Sequence, residues 1–310
     1  MRLAVYYDIV THRNDGNPLY VFASLKRRQE KKLLEVDHLA PMENINLFGK
    51  YDANIWVDWG EDALKGLIPY RMIDCPKPSI YWCSDTHIQI GDNNSYPYRL
   101  EMARKFDKVF VAQKRAVEEF KKDGVEAEWL PHAFEPQAYH DLDNLDSNGN
   151  PTPFECISKE YDVCFVGNVN SENRIDFLDR MFKEFPNFFY GQRRFQDAAQ
   201  IYARSKIALN ISMTDDVNMR CFEIAGSKTC LLTNWLPSLE ELGFEDGKTC
   251  ILYKSLDEAV DKIKYYLGND SQRESIANAG YQLIMDRHTI DKRVDRILEV
   301  ANELQVATPV

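Results

Sequence analysis

At 310 residues the chain is long enough for two domains of about 150 residues, each with its own core. Hydrophobic residues at 44% and aromatics at 12% are those of an ordinary globular protein; with no tract apolar enough to cross a bilayer and no signal-like start, a soluble, cytoplasmic protein without integral membrane contact is expected. A net charge of −11 argues against broad, sequence-independent binding to nucleic acid, which needs a basic surface to release counterions, and seven scattered cysteines with no C-x-x-C pair read as buried thiols.

Arg2 to Tyr7 is a short apolar run that predicts a first parallel strand, and Asn14 to Pro18 carries turn chemistry ahead of an amphipathic helix predicted over Leu19 to Arg28. A strand, a polar glycine-containing loop and a helix open a doubly wound α/β domain, in which ligands sit at the carboxyl edge of the sheet, so Asn14 and Gly16 are candidate ligand contacts. No G-x-G-x-x-G follows the strand, which removes the usual dinucleotide fingerprint. Lys26, Arg27, Arg28, Lys31 and Lys32 form a basic cluster at the end of the helix, either a solvated face or a contact for anionic lipid or a phosphorylated acceptor.

Further strands are predicted over Leu34 to Leu39, Ala53 to Asp58, Ser79 to Cys83 and Lys108 to Ala112, with helices around Tyr98 to Lys105 and Lys114 to Lys122. Ser84, Asp85, Thr86 and His87 follow one of these strands, which puts two titratable groups at its carboxyl end. Asp141 to Pro153 is rich in turn formers and reads as a linker or surface excursion. Its Asp141-Leu142-Asp143 is a D-x-D string of the metal-holding kind, but it follows no strand, and no metal site is expected there.

A second α/β series begins with a strand at Asp162 to Val166, a tight turn at Gly167 and the polar loop Asn168 to Arg174, then a helix over Ile175 to Phe185, a strand at Phe188 to Tyr190 and a helix over Phe195 to Arg204. Lys206 to Trp235 packs most into least: a strand over Lys206 to Ser212, a charged turn, a short helix and a strand over Thr229 to Thr233. Thr214, Asp215, Asp216 and Asn218 are all plausible N-caps, so the helix is predicted to begin near Asn218, with free N–H groups of the kind that attract phosphate. Arg220 adds a permanent cation, and Glu223, three residues on, shares its face and can accept two hydrogen bonds from the vicinal hydroxyls of a ribose. Taken alone, the pair is equally readable as a surface contact of a few tenths of a kcal/mol. Helices over Pro237 to Gly243, Ser255 to Leu267, Ser271 to Met285 and Ile290 to Leu304, with a strand at Thr249 to Tyr253, complete the chain.

The string N-x-R-x-F-E-x-A-G from Asn218 to Gly226, an apolar strand, and P-S-L-E-E-L-G-F from Pro237 to Phe244 together resemble the carboxyl-terminal domain of retaining GT-B glycosyltransferases. The branch they resemble is the CgeB-like group, named for a spore maturation protein and related to the family 4 transferases. Tyr81 to His87 is similar to the W-F-x-D-D-H of that group, and Trp129 to Ala133 resembles the segment by which family 4 enzymes leave their first domain. His288, Thr289 and Arg293 resemble the H-T-x-x-x-R near their end.

The resemblance implies an α/β, GT-B fold of two doubly wound Rossmann-like domains facing across a cleft. Residues 1–155 would be the acceptor-side domain, 156–285 the sugar-nucleotide domain and 286–310 a helix crossing back to the first. It implies a glycosyltransferase moving a sugar from a nucleotide-diphosphate sugar, of UDP or GDP type, to an acceptor hydroxyl, with retention and without metal or separate cofactor. Asp85, His87 and Arg220 would be catalytic. Gly16, Asn168, Arg174, Asp215, Asn218, Arg220 and Glu223 would bind the donor. The acceptor is left open among glycan, protein, small molecule and modified nucleobase. The alternatives are a GT-B-like sugar-nucleotide epimerase, a transferase acting on hydroxymethylated bases in DNA, and a non-catalytic binding module.

Overall fold

In the computed structural model, which describes residues 1–7, 16–39, 51–58, 77–86, 89–90, 93–94, 96–137, 157–169, 172–193, 195–212 and 216–307, the apolar runs pair into two all-parallel sheets. The chain divides into two compact units, Met1–His132 with Ile290–Val310, and Ala133–Thr289.

In unit 1, the strands are β1 (Arg2–Tyr6), β2 (Glu35–Leu39), β3 (Ala53–Asp58), β4 (Ser79–Cys83), β7 (Lys108–Val111) and β8 (Ala127–Trp129), in the spatial order β2-β1-β3-β4-β7-β8. A two-residue hairpin, β5 (Gln89–Ile90) and β6 (Asn93–Asn94), stands apart. Helices α1 (Asn17–Glu30), α2 (Tyr96–Ala103) and α3 (Lys114–Lys122) connect strands, and every residue of β4 is buried, as a strand covered on both faces requires.

The last helix, α10 (Ile290–Ala307), packs on α1 and is fastened there by charge. Asp291 accepts from Ser24 Oγ at 2.6 Å, from Arg27 at 3.1 Å and from Arg28 at 2.7 Å, while Asp295 takes Arg28 at 2.7 Å. Arg296 reaches Glu128 on β8 at 2.8 Å, and Arg293 donates to the carbonyls of Pro131 and His132 at 2.8 and 3.1 Å. Two cations of the basic cluster on α1, Arg27 and Arg28, are thus consumed in holding α10 and are not presented to an outside anion.

Unit 2 contains β9 (Tyr161–Val166), β10 (Phe188–Gly191), β11 (Ser205–Asn210), β12 (Cys230–Asn234) and β13 (Ile251–Tyr253), in the order β10-β9-β11-β12-β13. Its helices are α4 (Glu172–Glu184), α5 (Phe195–Ala203), α6 (Met219–Gly226), α7 (Pro237–Glu241), α8 (Leu256–Leu267) and α9 (Asp270–Arg287). Val163, Phe165, Ile207, Leu209, Leu232 and Ile251 of the strands pack with Phe177, Met181 and Ile263 of the helices in one core.

Two local differences from the sequence reading have physical reasons. The strand predicted to run to Ser212 stops at Asn210, because the Ile211 carbonyl is taken by Arg174 and the Ser212 N–H by Asn234 Oδ1. The β8 strand and the hairpin, three and two residues per strand, are too short to show a period.

Cys83, Cys164, Cys221, Cys230 and Cys250 are buried free thiols, and burial pushes those of Cys164, Cys221 and Cys230 up to about 12, so they stay protonated. Cys75, Cys156 and the Asp141-Leu142-Asp143 string lie outside the described residues. Among the described residues no helix is long and apolar enough to cross a membrane, and no group of three or more His, Cys, Asp or Glu could hold a metal ion.

Candidate functional site

The strand order of unit 2 reverses between β9 and β11: the chain steps outward from β9 to β10, then returns to β9's other side. At such a reversal the loops leaving two neighbouring strands run in opposite directions, which opens a crevice at their carboxyl ends. Here those ends are Val166-Gly167-Asn168 and Asn210-Ile211-Ser212.

Two arginines tie the ends together. Arg174, buried in the first turn of α4, donates to Asn168 O at 3.0 Å on one side and twice to Ile211 O, at 3.2 and 2.6 Å, on the other. Arg220, on α6, donates from Nε to Val166 O at 2.7 Å and from its guanidinium to Asn210 Oδ1 at 3.0 Å. Both guanidiniums lie over the Phe165 ring, with their carbons 5.8 and 4.8 Å from its centroid. Burial, and then the charge of Arg220, push Arg174 down to about 10, so it remains a cation at neutral pH although the neighbouring guanidinium opposes it.

Asn210 is fully buried and its orientation is set from behind. Its Nδ2 reaches Thr233 Oγ1 at 3.0 Å and Ser212 Oγ at 3.2 Å, which leaves the carbonyl oxygen for Arg220. Gly167 permits the close approach on the opposite side: a Cβ there would stand 2.2 Å from a terminal nitrogen of Arg220.

The amino end of α6 adds backbone donors. Asn218 is its N-cap, with Oδ1 accepting from Arg220 N at 3.1 Å and Nδ2 reaching Ser212 Oγ at 3.4 Å. Glu223 follows three residues after Arg220, half-buried. Tyr202, fully buried on α5, keeps its proton first through burial and next through the Glu223 charge, with the Arg220 charge acting the other way, so the three side chains form one cluster.

Asn168, Arg174, Asn218, Arg220 and Glu223 are therefore brought together in unit 2. Gly16 and Asp85 belong to unit 1. Gly16 precedes α1 with φ 93°, a left-handed conformation that favours glycine, and the buried Asn17 beside it donates to His132 Nδ1 at 3.0 Å. Burial and then Arg293 hold His132 down to about 4, so it is neutral. Asp85 follows β4 in a loop pinned by the buried Gln113, whose Oε1 accepts from Thr86 N and Oγ1 at 3.1 and 2.9 Å and whose Nε2 donates to Ser84 O at 2.8 Å. His87 and Asp215 lie outside the described residues. Asn210, Phe165 and Tyr202 are the members of the cluster that sequence reading passes over. The one signal among them is Asn210, a polar residue closing the apolar run Ile207 to Leu209.

Residues 157–299 match the family model described as Glycosyl transferase-like. No curated protein matches in sequence. Solved structures match over nearly the whole chain at low identity. Sucrose-phosphate synthase from Thermosynechococcus elongatus gives a TM-score of 0.65 at 10% identity, over 99% of this chain and 100% of that one. Anabaena Alr3699/HepE, solved with UDP and glucose, gives 0.64 at 12% identity, over 98% and 100%. An α-glucosyltransferase solved with UDP-glucose and DNA containing an abasic site gives 0.63 at 9% identity, over 97% and 99%. The fold is GT-B, and the glycosyl transferase-like match falls largely within the unit that holds the site.

Proposed function

We propose that this protein is a glycosyltransferase that binds a nucleoside diphosphate sugar in unit 2, its pyrophosphate against Arg174, Arg220 and the amino end of α6, its ribose on Glu223, and transfers the sugar to an acceptor hydroxyl. The observation that supports this most is the packing of two guanidiniums on one phenyl ring at the strand reversal. Two like charges held this close oppose each other, and a diphosphate between them turns that repulsion into attraction.

The same arrangement suits the bond-breaking step. As the glycosidic bond to the diphosphate breaks, negative charge grows on the phosphate oxygens. Cations already tied to Val166 O, Asn168 O and Ile211 O meet that charge without reorganising, and the helix terminus adds partial positive charge. One well-placed donor of this kind typically lowers the barrier by about 2.7 to 4 kcal/mol. This stabilisation does not call for a divalent metal, and metal independence is part of the proposal, as is retention of anomeric configuration. Asp85 and His87 are assigned to orienting the sugar or the acceptor hydroxyl. UDP sugars are the first donors to try, because structural neighbours were solved with UDP or UDP-glucose.

Thermal unfolding with UDP-glucose and GDP sugars, with and without EDTA, tests the donor site. A ligand at a hundred times its dissociation constant adds about 2.7 kcal/mol. The shift is expected to survive EDTA and to be lost in Glu223→Ala. No shift with any sugar nucleotide, or a full shift in Glu223→Ala, would overturn the reading. The anomeric proton signal of the product, followed by NMR, tests retention.

A further inference from the structure

Phe134 stands where the chain has just passed into unit 2, and it is fully buried. Its N–H donates to His288 O at 2.9 Å and it forms a parallel bridge with Thr289, so the incoming and outgoing segments of unit 2 lie side by side. Its ring rests on Gly226, the last residue of α6: a Cβ at that glycine would stand 2.6 Å from two ring carbons. From α9, Gly280 closes on the same turn, where an added Cβ would meet the Ala225 Cβ at 3.6 Å. The carboxyl end of α6 is thus held between an aromatic ring and a neighbouring helix, with no room for a methyl group on the ring side.

Helix α6 is only eight residues long and carries both Arg220 and Glu223. A hydrogen-bonded helix moves as one body over so short a span, so the ring that fixes Gly226 also fixes the carboxylate three residues before it. We infer that Phe134 is a positioning residue for donor binding, acting through Gly226 to hold α6 where Arg220 and Glu223 engage the diphosphate and ribose. The inference rests on the donor reading above. It adds to that reading a residue far from it in sequence and out of contact with any phosphate.

The test uses the full chain with Gly226→Ala, Phe134→Leu and the double variant, measuring UDP affinity by calorimetry, KM and kcat for the sugar donor, and the melting temperature. Gly226→Ala pushes α6 off the ring and Phe134→Leu leaves it slack. Because a misplacement of about 1 Å can cost on the order of a hundredfold, each is expected to weaken UDP binding by about tenfold or more, with KM rising more than kcat falls. In the double variant leucine vacates the space the new methyl needs, and affinity is expected to recover at least tenfold over Gly226→Ala. A residue that only stabilises the fold would lower the melting temperature in both single variants, leave UDP affinity in place and show no recovery in the pair. If Gly226→Ala fails to fold, a folded Phe134→Leu with wild-type affinity still overturns the inference. A wild-type protein that binds neither UDP nor GDP overturns the donor reading and this inference with it, a result distinct from variants that bind as the wild type does.

Discussion

Asn210 is a neutral side chain that governs a charged one. Its carbonyl oxygen takes the Arg220 guanidinium at 3.0 Å, while Thr233 and Ser212 hold its amide nitrogen. Replacement by aspartate keeps the shape and changes the charge: the new carboxylate pairs with Arg220 and cancels the cation the phosphate would meet. Asn210→Asp is therefore expected to fold, and to bind UDP at least tenfold more weakly, a loss of about 1.4 kcal/mol or more by calorimetry. Unchanged affinity would remove Arg220 from the diphosphate site. Sequence alone shows why this residue is hard to see. Arg220 and Glu223 announce themselves by sharing a helical face, whereas Asn210 acquires its role only when β11 lies against β9 and β12.

At the scale of elements, the site consists of two loop ends and one short helix. Ala53–Asp58, Ser79–Cys83 and Lys114–Lys122 are legible in sequence to the residue, because each is an apolar or amphipathic run bounded by turn formers. The strand order is not, since nothing local to β9 says that β10 and β11 take opposite sides of it, and that reversal is what gathers Val166, Asn168, Asn210 and Ile211 under two arginines. Gly167 marks the narrowest place in this assembly. A methyl group there meets an Arg220 nitrogen that cannot simply swing aside, because Val166 O and Asn210 Oδ1 hold the guanidinium. Gly167→Ala is expected to reduce kcat by about a hundredfold or more, as loss of one fixed transition-state donor does, with a smaller effect on melting temperature. A large fall in stability with kcat preserved would show that the glycine serves the fold rather than the site.

For the whole molecule, the decisive contact is between the first helix and the last. Burial of Asp291 raises its carboxyl, but the Ser24 hydrogen bond and the charges of Arg27 and Arg28 outweigh that and hold it below the usual carboxylate range. A lowered value in the folded state means that the unfolded chain takes up the proton more readily, so the attachment is at full strength above roughly pH 4 and fades as pH falls further, through the folded value. Asp291 is partly exposed, and solvent screening limits its worth. Asp291→Asn is expected to cost about 1 kcal/mol in urea unfolding at pH 7, with a smaller difference in high salt and at pH 3. An equal difference at both pH values would place its contribution in packing instead of charge.

Helix α10 completes a unit whose strands all lie before residue 133, with the whole of unit 2 threaded in between. On a translating ribosome the six-stranded sheet of unit 1 must therefore wait, with Arg27 and Arg28 still without Asp291, until α10 has emerged, whereas unit 2 is whole once Thr289 has emerged. The half synthesised later is the first that can finish. A released chain ending just short of Ile290 would carry every residue of the second unit joined to a first one that lacks α10.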